Sequence, residues 1–210
     1  MEIRNEILVP DAFYHIYNRG INSGKIFSTH GNYLFFLSKF ATFLSPFCEV
    51  YAYCLMPNHF HFLIKVKSEE EIAAFLSKEQ NRGVKTFQEK GLHSYDSIVS
   101  KQIGKFISSY SQAYNKSRNR HGALLESPFK RKRIDSEGYL RNLIVYIHLN
   151  PVGFNVDFST YQYSSYKSIL SKQNTLLKRE ETIALFDDVE NFVYLHESGQ
   201  SAQLCQSFEL

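Results

Sequence analysis

Two places in the chain carry side chains whose types and spacing could do chemistry together. His59 and His61 are separated by one residue inside the apolar run His59-Phe60-His61-Phe62-Leu63-Ile64. In an extended strand alternate side chains share a face, so the imidazoles stand about 6 to 7 Å apart on one side while Phe60 points to the other. That separation suits two ligands of one divalent ion. Only neutral imidazole binds a metal, so such a site works near or above neutral pH. Further on, Tyr146-Ile147-His148-Leu149-Asn150 precedes the helix-stopping Pro151. Positions i and i+4 share a helix face, which brings a phenol and a carboxamide to one point. A deprotonated phenol is a nucleophile able to form a covalent intermediate. A metal is its complement, polarising the centre under attack and stabilising the charge that develops. Taken singly, the HxH pair also fits a structural role, and Tyr146 also fits a core aromatic beside Leu143 and Ile147.

Elements able to position these groups are visible in the pattern. Residues 12–18 are aromatic and branched and stop at Arg19-Gly20, which predicts a strand ending in a turn. Residues 32–44 have helical spacing, with Leu34, Leu37, Phe40 and Ala41 on one face. Strands are expected at 50–53 and 59–66, joined as a hairpin through Leu55-Met56-Pro57-Asn58. Helices follow at 69–80 and 103–118, the second carrying Phe106, Ile107, Tyr110 and Tyr114, with a polar loop between them. A strand is expected within 124–134, then a cap at Asp135-Ser136-Glu137 and a helix over 139–149. This order predicts an α+β fold with a ferredoxin-like antiparallel sheet and helices packed on one face. Residues 1–157 form the main domain. Residues 158–210 form a small C-terminal helical extension, with a helical pattern over 182–194.

Bulk composition narrows the class. The chain has 210 residues, 43% of them hydrophobic, with 18 Phe and 14 Tyr, enough apolar surface to build a real core. No apolar run is long enough to span a membrane and the first residues lack a signal-peptide pattern, so a cytoplasmic protein is expected. Cys48, Cys54 and Cys205 form no CxxC pair and read as free thiols. The net charge, 24 − 21 = +3, is too small to announce a nucleic-acid partner, but it is unevenly spread. Arg118, Arg120, Lys130, Arg131, Lys132 and Arg133 make the densest basic set, whereas 180–190 is acid-rich.

Three blocks together carry a resemblance. Tyr14-His15-Ile16-Tyr17-Asn18-Arg19-Gly20, Met56-Pro57-Asn58-His59-Phe60-His61-Phe62-Leu63-Ile64 and Tyr146-Ile147-His148-Leu149-Asn150-Pro151-Val152 resemble, in order and separation, the single-tyrosine HUH transposases, and within them the REP-associated tyrosine transposases. Tyr163-Ser164-Ser165-Tyr166 resembles a further block of that branch. The resemblance implies a ferredoxin-like HUH fold, Mg²⁺ or Mn²⁺, and single-stranded or hairpin DNA as partner. It also implies cleavage and rejoining of hairpin-flanked DNA through a 5′-phosphotyrosine. Tyr146 would be the nucleophile, and His59, His61 and Asn150 would hold the metal, Asn150 standing where many relatives have Gln. Some relatives are homodimers with sites shared between chains and others act as monomers.

The basic set between 118 and 133, interleaved with aromatics, is the expected DNA grip. His15, His30, His121, His148 and His196 have no partner at ligand spacing and read as ordinary core or surface residues. Two other readings stay open: a metal-dependent phosphodiesterase that activates water, and a domesticated DNA or RNA hairpin-binding protein without chemistry.

Overall fold

Alternation along the strands decides what each sheet face presents, and in this protein both faces are apolar. The computed structural model describes residues 6–80 and 95–198; Cys205 and positions 81–94 of the polar loop expected between residues 80 and 103 lie outside the described residues. β1 (Phe13–Arg19) pairs antiparallel with β3 (His59–Val66) and with β4 (Lys130–Ile134), and β3 pairs with β2 (Cys48–Met56). The resulting order, β2-β3-β1-β4, is the ferredoxin-like one, and the fold is α+β.

On one face, Tyr14, Ile16, Phe60, Phe62 and Ile64 meet α1 (His30–Phe43) and α3 (Tyr95–Ser117). Phe36 packs at 4.9 Å from Phe60 and 4.7 Å from Phe106, ring centre to ring centre, and Phe40 stacks on Phe62 at 4.4 Å. Each fully buried Phe here stabilises the fold by roughly 1.5–3 kcal/mol. α2 (Glu69–Gln80) adds Ile72 to the same cluster. The other face is not bare. α4 (Glu137–Leu149) buries Leu143, Ile144 and Ile147 against Ala52, Cys54, Met56 and Leu63. The expectation of helices on one face therefore holds for α1, α2 and α3, while α4 covers the opposite face. The cause is that β2 and β3 are apolar on both sides, as strands sandwiched between two layers must be.

Three local readings change as well. The buried stripe of α1 is Tyr33, Phe36 and Phe40, and Leu34 faces solvent. α3 starts at Tyr95, ahead of the expected 103, because Val99 reaches the core and burial extends the helix. β4 is short: Pro128 lacks a backbone N–H for a ladder, and the chain before it is tied to the end of β1 by a Gly20–Leu125 bridge, by Glu126 N–H to Arg19 O (2.9 Å) and by Asn18 Nδ2 to Glu126 O (3.0 Å) rather than by a continuous ladder.

The C-terminal segment closes an open edge. β2 ends the sheet, and an uncovered edge strand invites pairing with other chains. Here Ser165 N–H bonds to Tyr53 O (2.9 Å), Leu55 N–H to Tyr163 O (2.9 Å) and Lys178 N–H to Val50 O (2.8 Å). α5 (Tyr166–Leu170), α6 (Arg179–Ala184) and α7 (Val189–Glu197) then pack Tyr166, Phe186 and Phe192 into the α4 cluster. The expected single helical pattern over 182–194 is split by Asp187, at φ 70°, with Asp188 capping α7.

A buried chain of hydrogen bonds fastens this segment to α4. His196 Nδ1 faces the Phe192 carbonyl at 2.7 Å and must donate. A neutral His196 then accepts at Nε2 from His148 Nδ1–H (2.8 Å), so His148 Nε2 accepts from the Ser165 hydroxyl (2.7 Å). Burial pushes the His196 pKa down to about 4, with the Phe192 carbonyl pulling it back up, and holds His148 well below the usual imidazole range. Because the folded pKa values lie below the unfolded 6.5, the unfolded chain binds more protons as pH falls, so stability is full above 6.5 and lost below it. His196 alone corresponds to about 3 kcal/mol between pH 6.5 and 4. The urea midpoint is expected to be flat above pH 7 and to fall steadily from 6.5 to 4. An unchanged midpoint at pH 5 would contradict the neutral chain.

Candidate active site

His59 and His61 sit on β3, on the face that α4 covers, and α4 lays Tyr146 and Asn150 across them. The Tyr146 ring stands edge-on to His61, centres 5.4 Å apart, and 6.3 Å from His15. The Asn150 amide is oriented by its own helix, since Nδ2 donates to Tyr146 O at 2.9 Å, which turns Oδ1 toward His59 Nε2 at 3.1 Å. On the far side of that ring, His59 Nδ1 lies 2.8 Å from Asn58 Oδ1. His61 is fully buried, with Nδ1 2.8 Å from His15 Nε2, while its Nε2 has no hydrogen-bond partner among the described residues.

These contacts fit a cation. A buried imidazole nitrogen without a partner is costly unless something takes its lone pair. A neutral His59 donates to one of two oxygens, Asn58 Oδ1 or Asn150 Oδ1. With the proton on Nε2 the Asn150 contact is an ordinary hydrogen bond, and with the proton on Nδ1 it sets two lone pairs 3.1 Å apart that a cation would relieve. Among the described residues no three His, Cys, Asp or Glu converge as a metal site, and the groups at this corner that could offer a lone pair to a cation are two imidazoles and one carboxamide. Burial lowers the His59 pKa against the Asn150 hydrogen bond, which raises it, with the Arg19 charge lowering it further. His61 is held well below the usual range by burial, then by His15 and His59. Both rings are therefore neutral at neutral pH.

The turn after β1 belongs to the same corner. Gly20 N–H bonds to Asn58 O (2.8 Å), and a Cβ on Gly20 would lie 2.0 Å from Gly24 O, so only glycine fits. Arg19, opposite His59 in the β1–β3 register, is held by Ser23 Oγ at 2.8 Å.

The basic set does not form one patch. Period-two alternation sends Lys130 and Lys132 to the histidine face, opposite Tyr17 and His15, and sends Arg131 and Arg133 to the other face, opposite Ile16 and Tyr14. Arg131 bonds to Ser100 Oγ (3.0 Å) and Arg133 pairs with Asp135 (2.7 Å). Arg120 is engaged in its own loop, donating to Asn115 Oδ1 and the Ala123 carbonyl, and exposed Arg118 lies over the Tyr114 ring. The strand period was available in the sequence and predicts this split once β4 is placed.

Two residues of this corner were given no role by the sequence, although His15 lies in the block Tyr14 to Gly20. His15, set aside for lack of ligand spacing, bonds directly to His61 across 46 residues of sequence. Phe154, in the 3₁₀ turn that follows α4, is 47% exposed with its ring 6.1 Å from His59.

The chain thus combines a four-stranded ferredoxin-like sheet, two histidines on its central strand β3, and a helix that sets a tyrosine and a carboxamide against them. A solved structure described as a REP-associated tyrosine transposase bound to a REP hairpin has a similar fold, with a TM-score of 0.51 and 13% identity over 84% of this chain and 90% of that one. The likeness is one of fold. No family model and no curated protein matches the chain.

Proposed function

We propose that the chain is a transposase-type, metal-dependent single-strand DNA transesterase that cleaves and rejoins hairpin-flanked DNA through Tyr146. The observation that carries this reading is the convergence of Tyr146 and Asn150 on His59 and on the partnerless His61 Nε2. The Tyr146 oxygen would attack phosphorus, forming an O–P bond as the P–O3′ bond breaks. The phenol loses a proton, the departing 3′ oxygen gains one, and a 5′-phosphotyrosine results. Bond for bond the step is reversible, which suits rejoining without an energy source. Mg²⁺ or Mn²⁺, held by His59, His61 and Asn150, would supply Lewis-acid polarisation and orientation of the phosphate. All four side chains come from one chain, which supports a site built in cis, in a monomer or in each half of a homodimer.

The surroundings suit an unpaired strand. Lys130, paired with Glu126 at 3.4 Å, and Lys132, donating to Tyr139 Oη at 2.7 Å, share the site's face and can exchange those partners for flanking phosphates. The Phe154 ring can stack a base, a contact open to every base and closed to a paired duplex. A hairpin DNA incubated with the protein and Mn²⁺ should give a covalent adduct on a denaturing gel. No adduct, with strand scission to a free 5′-phosphate, would favour activated water instead. Salt titration of binding to the same DNA should lose about 1.4 from its slope when Lys130 and Lys132 are both replaced by alanine, two contacts at roughly 0.7 each. Replacing Arg131 and Arg133 should leave the slope nearly unchanged, and equal effects of the two pairs would refute the division by face.

A further inference from the structure

We infer that His15 is a positioning residue that fixes the tautomer of His61, leaving the Nε2 lone pair of His61 aimed at the metal site; this rests on the metal reading above. His15 Nε2 and His61 Nδ1 are 2.8 Å apart and both side chains are buried, so one proton lies between the two rings. If His15 held it, His61 would carry its own proton on Nε2, where no described residue accepts it. An orphaned buried N–H is among the rarest features of folded proteins. If His61 holds it, Nδ1–H donates to His15, whose own proton then sits on Nδ1, an atom that is not one of the buried ones left without a partner, and His61 Nε2 is a bare lone pair, which is the form a metal binds.

The rings cannot easily turn out of this arrangement. His15 and His61 lie nearly parallel, 20° apart in plane, and Tyr17 stacks against both, at 4.5 Å and 5.8 Å. Tyr146 closes the edge of both rings from α4. A metal-binding histidine commonly donates its other N–H to an outer acceptor that orients it. Both ligands here have one, and both acceptors are uncharged: Asn58 Oδ1 for His59 and His15 Nε2 for His61. A neutral outer shell leaves the positive charge of a bound divalent ion undiminished toward an anionic phosphodiester, so His15 serves the site in a way a carboxylate would not.

The test compares His15→Leu, which removes the acceptor, with His15→Gln, whose Oε1 can accept the same proton. Mn²⁺ affinity is read by calorimetry in the absence of DNA, and the His61 tautomer by ¹⁵N NMR of the metal-free protein. His15→Leu is expected to weaken Mn²⁺ binding about 10- to 100-fold, the usual effect of removing an outer-shell partner. It should also shift His61 toward protonation at Nε2, and His15→Gln should restore both readouts. Unchanged affinity in a folded His15→Leu protein, or a wild-type His61 protonated at Nε2, would overturn the inference. The wild-type spectrum decides the matter even if His15→Leu does not fold. His61→Ala separates the two readings. If it weakens Mn²⁺ binding while His15→Leu does not, the positioning role fails alone. If it leaves binding intact, the metal reading fails and takes this inference with it.

Discussion

Tyr146→Phe is expected to abolish strand cleavage, by at least about a thousandfold, while leaving the fold and hairpin binding in place. The Tyr146 ring is 8% exposed and packed in the α4 cluster beside His61, and phenylalanine keeps that packing. What it loses is one oxygen, and with it the only atom in the reading above that attacks phosphorus. Removing a nucleophile leaves whatever rate positioning and charge stabilisation give by themselves, which is typically orders of magnitude below the intact site. Incubation with hairpin DNA and Mn²⁺ followed by a denaturing gel should show no adduct and no product. Anisotropy with the same DNA should show unchanged affinity, because Lys130, Lys132 and Phe154 are untouched. Near-normal product from the purified variant would assign the attack to water and make this a phosphodiesterase.

The strands and most helices were legible because their burial follows the local period. β3 matches its expected bounds, and α4 starts at the Ser136 cap that Asp135-Ser136-Glu137 announces. The facing of α1 was misjudged because its aliphatic residues suggested Leu34, whereas the aromatic residues Tyr33, Phe36 and Phe40 take the core. Lys130 to Arg133 read as one patch because a run of like charges hides the alternation that places two of them on each face. Of the candidate site, the HxH pair and the Tyr146 to Asn150 spacing were legible because each lies within one element. His15 and the His148–His196 pair were not, because register between strands and docking of α7 on α4 bring them together. No local spacing records such pairings, so a histidine without a nearby partner in sequence is weak ground for setting it aside.

Removal of the metal ligands should act on binding and on chemistry together, and the two histidines should not behave alike. His59 is half-buried and His61 wholly so, held between His15, Tyr17 and Tyr146. His61→Ala leaves a cavity and strands His15 Nε2, a cost of about 2–4 kcal/mol in stability besides the lost ligand. His59→Ala sits near solvent and should lose the ligand with less damage, which makes it the cleaner variant. Mn²⁺ titration by calorimetry is expected to show at least a tenfold loss of affinity in each, with adduct formation falling in step, while metal-free hairpin binding persists through Lys130 and Lys132. The wild-type titration carries a sign as well. Protons compete with a metal only near an imidazole's own pKa, and both rings are held below the usual range by burial. Affinity should therefore stay flat from pH 8 to 6.5, where exposed imidazoles would already be losing it. Wild-type affinity in both variants, or a titration that weakens like free imidazole through that range, would remove His59 and His61 as ligands.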